Sequence, residues 1–140
     1  MTEERLRTRD EFRILTLSRA NLRCTVPTCS SVAQDAHHIL NRNLFTEDFE
    51  EGGYFLTNGA PLCNLHHLNA ETTVLSVKTI REWLGITHAT IPAQLDPKKE
   101  YDTWGNEIVT VCSRKPGPLF NDSGCQKALK AGNVLWTFSS

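Results

Sequence analysis

The chain has 140 residues with a formal net charge of −1, five cysteines and five histidines, a length that suits one domain, with room for an appendage, and allows a core without covalent staples. No apolar run is long enough to span a bilayer and no secretory pattern opens the chain, so no membrane partner and a cytoplasmic location with reduced thiols are expected. The odd cysteine count excludes complete internal pairing and favours metal ligation, and the near-neutral charge excludes a strongly cationic nucleic-acid binder, although charge is segregated along the chain.

Residues 2–21 read as a helix, with Thr2 as cap and Glu3 and Glu4 in the first turn, where the helix dipole favours acids. Six arginines stand against four acids in residues 1–23. "LRCTVPTCSS" (22–31) reads as a turn carrying two cysteines. "VAQDAHHIL" (32–40) reads as a strand. The stretch 41–61 is loop-like and holds the acidic run "TEDFEE". A helix is expected from Leu62 to about Glu71. Another is expected over "SVKTIREWLG", with Ser76 as N-cap, Val77, Ile80 and Leu84 on one face and Gly85 as the stop. Trp83 reads as core. After that, four prolines punctuate a loop-rich tail, in which "GNEIVTVCS" and "NVLWTFSS" are strand candidates.

Seven soft ligand-type side chains fall between positions 24 and 67: Cys24, Cys29, His37, His38, Cys63, His66 and His67. Cys24-x4-Cys29 has the spacing of one zinc arm and Cys63-x2-His66 that of a second. Together they make a Cys3His tetrahedral set. The other three histidines are left over, and geometry explains why. Neighbouring residues on a helix, with roughly 3.6 residues per turn, point about 100° apart, so His66 and His67 cannot easily serve one ion. His37 and His38 diverge in the same way on a strand. The pattern predicts a structural metal beside a second, open site.

"DAHHI" (35–39) followed by "NGAPLCNLHH" (58–67) resembles the signature of the HNH endonucleases, over about residues 20–75. The resemblance implies an α+β fold: a ββα-metal core stapled by a structural zinc, with an N-terminal helix and a loop-rich C-terminal extension. The expected division is a nuclease core at 1–85 and an extension at 86–140. It further implies that His38 is the general base, that His37 and His67 hold a catalytic ion, and that Asn58 staples the loop and helps orient the base. Cys24, Cys29, Cys63 and His66 would hold the zinc. Hydrolysis of a DNA phosphodiester to 5′-phosphate and 3′-hydroxyl ends is the implied activity, with RNA as an open alternative substrate.

That chemistry is consistent with the residue types. An imidazole with an unperturbed pKa near 6.5 accepts a proton from water at neutral pH. A divalent ion acts as Lewis acid on phosphate. Two imidazoles suit Mn²⁺, Ni²⁺, Co²⁺ or Zn²⁺ better than Mg²⁺, which prefers oxygen, so Mg²⁺ or Mn²⁺ is expected in use and the softer ions bind tighter in vitro. Asp35 is a candidate third ligand or the acceptor that fixes an imidazole tautomer. Arg42, Asn43 and Arg23 are candidate phosphate contacts, Lys78 and Arg81 a candidate basic face, and Trp104 a candidate for stacking on a base or for simple packing. Cys112 and Cys125 read as ordinary thiols. The acidic run and modest charge suggest weak DNA affinity unless a partner protein supplies it, as in a small phage or mobile-element nuclease. The alternative is a zinc-stabilised nucleic-acid- or protein-binding module without catalysis.

Overall fold

The computed structural model describes residues 4–19 and 21–137 of the chain. It is a small mixed α+β protein with a two-stranded and a three-stranded sheet. Helix α1 spans Arg9–Ser18. It starts later than the sequence suggests, because Thr8 and Glu11 form a capping box: the Glu11 amide donates to Thr8 Oγ1 (3.1 Å) and the Thr8 amide to Glu11 Oε1 (3.0 Å). The expected cap at Thr2 lies outside the described residues.

Strand β1 (Asp35–His38) pairs antiparallel with β2 (Gly59–Leu62), so that Asp35 faces Leu62 and His38 faces Gly59. The second strand corrects the expectation of a loop over 41–61. "GAPL" is buried at every position and lacks polar alternation, so its strand character comes from tertiary pairing and not from propensity. The rest of that stretch makes three short 3-10 turns: Arg42–Leu44, Asp48–Gly53 and Leu56–Asn58.

Helix α1 lies across this pair, burying Phe12 and Thr16. The approach is close enough to require glycine at position 59, where a Cβ would fall 2.4 Å from Thr16 Oγ1. Helix α2 (Asn64–Glu71) follows β2 after a single residue, Cys63, its N-cap. Helix α3 (Val77–Leu84) is capped by Ser76 and stopped by Gly85 in the left-handed region, as the sequence indicates. Trp83 is 38% exposed. It sits off the stripe set by Val77 and Ile80, and this corrects its assignment to the core.

In the C-terminal part, "GNEIVTVCS" is not one strand but two, β3 (Glu107–Thr110) and β4 (Ser113–Lys115). Thr110 Oγ1 lies 2.7 Å from Ser113 Oγ and accepts from the Cys112 amide, so side-chain hydroxyls close the turn. Strand β5 (Leu135–Trp136) runs parallel to β4. Between them lies α4 (Ser123–Ala131), which the loop-rich reading missed. Its signal was present: Asp122 caps the Cys125 amide, and Cys125 and Leu129 are the buried i, i+4 pair.

The core gathers Ile39, Leu40, Leu44, Leu62 and Ile80, and Leu95 joins it from beyond α3. Hydrogen bonds tie the later residues to the earlier ones: the Asn41 amide to the Thr103 carbonyl (2.7 Å) and Trp104 Nε1 to the Glu71 carbonyl (2.8 Å). Among the described residues no helix is long and apolar enough to cross a membrane.

Candidate metal centre and the adjoining cleft

Two separate chain segments build the metal centre. Cys24 and Cys29 sit on the loop between α1 and β1, which is tightened by the Cys29 amide donating to the Val26 carbonyl and the Cys24 amide to the Ser31 carbonyl (both 3.0 Å). Cys63 caps α2 and His66 lies in its first turn. The four ligand atoms all fall within 4.8 Å of one another. His66 Nδ1 is 3.2 Å from Cys63 Sγ and 3.5 Å from Cys24 Sγ, and the Cys29 and Cys63 sulfurs are 4.0 Å apart.

A regular tetrahedron with zinc–ligand bond lengths has S···S edges of about 3.8 Å and S···N edges of about 3.5 Å. The three edges given lie within about 0.3 Å of those values and all six within 4.8 Å, so the cluster could bind a metal such as zinc. The ring nitrogen aimed at the sulfurs is Nδ1. Hydrogen bonds from Ser31 push the Cys29 thiol below its ordinary range, while burial pushes that of Cys24 up. A bound cation reverses the second effect, because a coordinating thiol is deprotonated.

His67 turns away from this centre, as helix periodicity requires, whereas His37 and His38 do not diverge as expected of neighbours on a strand and line the same cleft. His67 faces β1. Its Nδ1 is 3.0 Å from Asp35 Oδ2, and its Nε2 is 3.2 Å from Glu71 Oε1, one turn further along α2. Asp35 therefore meets the imidazole of His67 directly. His37, only 4% exposed, brings its ring to within 5.0 Å of that of His67, measured between centroids. His38 lies stacked on Phe12 at 4.6 Å, with Tyr54 edge-on at 5.5 Å.

His37, His38, Arg42, His67, Glu71 and Trp104 line one cleft of about 190 Å³. In it the Nε2 atoms of both His37 and His38 are buried without a hydrogen-bond partner, and buried polar atoms rarely stay so. Burial, with repulsion from His67 and His38, pushes the His37 pKa down to about 3. Burial also brings His38 down to about 4; the Gly52 carbonyl opposes this, and Arg42 adds to it. Both shifts favour the neutral imidazole near pH 7.

Asn58 is fully buried. Its Oδ1 accepts from the Leu40 amide (2.9 Å), and its Nδ2 donates to the carbonyls of Leu40 (3.0 Å) and Gly53 (3.2 Å). It thereby pins the chain after β1 to the glycine turn that faces His38.

Of the weaker candidates, Arg42 lines the cleft, but Arg23 spends Nη2 on the Cys29 carbonyl (3.5 Å). Lys78 and Arg81 line one cleft away from the histidines, where Lys78 lies 3.9 Å from Glu100 and Arg81 buries Nε and Nη2 without a partner. The acidic run is not remote from the site. Asp48 and Glu51 share a shallow depression with Arg42, while Glu50 is buried and accepts from the Ala93 amide. Sequence reasoning missed Glu71, whose i, i+4 spacing from His67 was the available signal. It also missed Thr103 as a wall of the cleft, for which no local signal exists.

No family model, no curated protein and no solved structure matches this chain.

Proposed function

We propose that the protein is a metal-dependent endonuclease of the HNH type that hydrolyses phosphodiester bonds in DNA, with His38 as general base. The observation that carries this reading is the meeting of three imidazoles in one cleft, two of them with buried, unpartnered Nε2 atoms, on a strand pair and helix fastened by a Cys3His cluster.

A second, catalytic cation is part of this reading. His37 and His67 would hold it, with Glu71 as an available oxygen donor; Mg²⁺ or Mn²⁺ is the expected ion in use, and Ni²⁺, Co²⁺ or Zn²⁺ compete in vitro. Such an ion, when bound, supplies Lewis acidity at the phosphate and at the leaving 3′-oxygen. Everything else falls to the chain. Asp35 would take the Nδ1 proton of His67 as a hydrogen bond and direct the Nε2 lone pair to the side of Glu71 Oε1, 3.2 Å away, where nitrogen and carboxylate could share the ion. Phe12 and Tyr54 hold the His38 ring in place. Asn58 fixes the loop on which the base depends. Neutral His38 accepts the proton of the attacking water at Nε2. An incoming phosphodiester places negative charge beside that ring and raises its pKa toward the range where a base works best. Arg42 offsets phosphate charge at the cleft mouth.

Supercoiled plasmid incubated with the protein and Mn²⁺ or Mg²⁺ tests the reading. Nicked circles with 5′-phosphate and 3′-hydroxyl ends are expected. Protein that retains its zinc and binds DNA, yet leaves every circle intact, is instead a zinc-stabilised binding module.

A further inference from the structure

The segment after α3 supplies one wall of the cleft, and its construction is specific. Asp102 is 2% exposed, and its carboxylate is saturated. Oδ1 accepts from the amides of Trp104 (2.9 Å) and Asn106 (3.0 Å), and Oδ2 accepts from Arg114 Nε (3.1 Å). Asn106, fully buried, donates Nδ2 to the same carboxylate and accepts the Gly117 amide. The turn needs Gly105 at φ +82°, where a Cβ would also strike Leu44. This buried knot presents two residues outward to the cleft, Thr103 and Trp104. The Thr103 carbonyl is held by the Asn41 amide. Trp104 Nε1 is held by the carbonyl of Glu71, the residue whose carboxylate touches His67.

We infer that Trp104 is a base-stacking subsite for an unpaired nucleotide beside the scissile phosphate, so that single-stranded or locally opened DNA is the preferred substrate. The inference rests on the nuclease reading above. Trp104 lines the cleft with its N–H held and the far edge of its ring beside Gly124 of α4, and an indole so fixed can stack on a π-face of any base. The surroundings argue against affinity won from duplex phosphates. Among the described residues Arg42 is the one Lys or Arg side chain lining the cleft, Glu71 lines it too, and Asp48 and Glu51 share the neighbouring depression with Arg42. Few phosphates can be neutralised here. Stacking needs no net positive charge, and a cleft of about 190 Å³ has room for a ring-sized group.

The test is fluorescence anisotropy of labelled oligonucleotides at fixed salt, using full-length His38→Ala protein so that no cleavage intervenes. Three forms are compared: Trp104 intact, Trp104→Phe and Trp104→Ala. Zinc content and melting temperature are matched among them. Trp104→Ala should weaken binding of a single strand or an unpaired bubble by about 5- to 100-fold. Binding of a perfect duplex should change less than about twofold. Trp104→Phe should retain most of the single-strand affinity, because a ring face remains although the bond to Glu71 is lost. Equal single-strand affinity in the intact and Ala forms overturns the subsite. So does a Phe form as weak as the Ala form, since the indole would then serve only to anchor α2. Neither result touches the nuclease reading, which depends on His38-dependent nicking by otherwise unaltered protein.

Discussion

Asp35 Oδ2 stands 3.0 Å from Nδ1 of His67, across the gap between the first strand and the helix that follows the second. An imidazole that donates at Nδ1 carries its lone pair on Nε2, which stands 3.2 Å from Glu71 Oε1, and a lone pair facing a carboxylate calls for a cation or a proton between them. The carboxylate is 41% exposed, so its own contribution to folding is small. Asp35→Asn should therefore leave the melting temperature within a few degrees while raising the Mn²⁺ concentration for half-maximal nicking about 10- to 100-fold. A metal titration of the nicking rate checks this, and an unchanged half-saturation point contradicts it.

The Cys3His cluster carries a different prediction. Protein washed free of loosely held ions should retain about one zinc per chain, because a closed four-ligand site binds far more tightly than an open one. Cys24→Ser should lose that zinc and unfold cooperatively at lower temperature, since binding energy at such a site is folding energy. Metal analysis with thermal melts reads both. A zinc-free wild type that melts unchanged contradicts the assignment.

Asn58 is buried with three hydrogen bonds to the loop backbone. Asn58→Ala leaves an amide and two carbonyls without partners in a dry place, at a cost of about 3 kcal/mol. Urea unfolding measures it. A loss under about 1 kcal/mol would mean that water replaces the side chain.

The two depressed histidines give stability a defined pH slope. Folded pKa values of about 3 for His37 and about 4 for His38 lie below the unfolded value of 6.5, so the unfolded chain binds more protons below neutrality. Their contribution is fully present above about pH 6.5 and declines as pH falls toward the folded values. Between pH 7.5 and 5.5 each should remove about 1 kcal/mol. Without added divalent ion, His38→Phe should lose about half of that slope. Denaturant melts at the two pH values read it, and an equal slope in the variant contradicts the burial argument.

The Cys3His cluster was legible because its side chains are chemically distinctive and come in two short arms, Cys24 with Cys29 and Cys63 with His66. Helix α3 was legible because Ser76, its apolar stripe and Gly85 all agree. Strand β2 was not, since glycine and proline in "GAPL" disfavour strands until β1 and α1 cover them. The divergence of His66 from His67 follows from helix geometry alone. The wall of Thr103 and Trp104 does not, because it depends on a turn whose anchor, Arg114, lies further along the chain. Contacts of that range leave no periodic trace.

Strand scission by wild type and His38→Ala, matched for zinc content and melting temperature, tests the central claim most directly. Nicking by wild type in the presence of Mn²⁺ or Mg²⁺, falling at least about 100-fold in the variant, is the result required. Equal nicking by both proteins, or none by a zinc-loaded wild type with either ion, contradicts the assignment of His38 as the base.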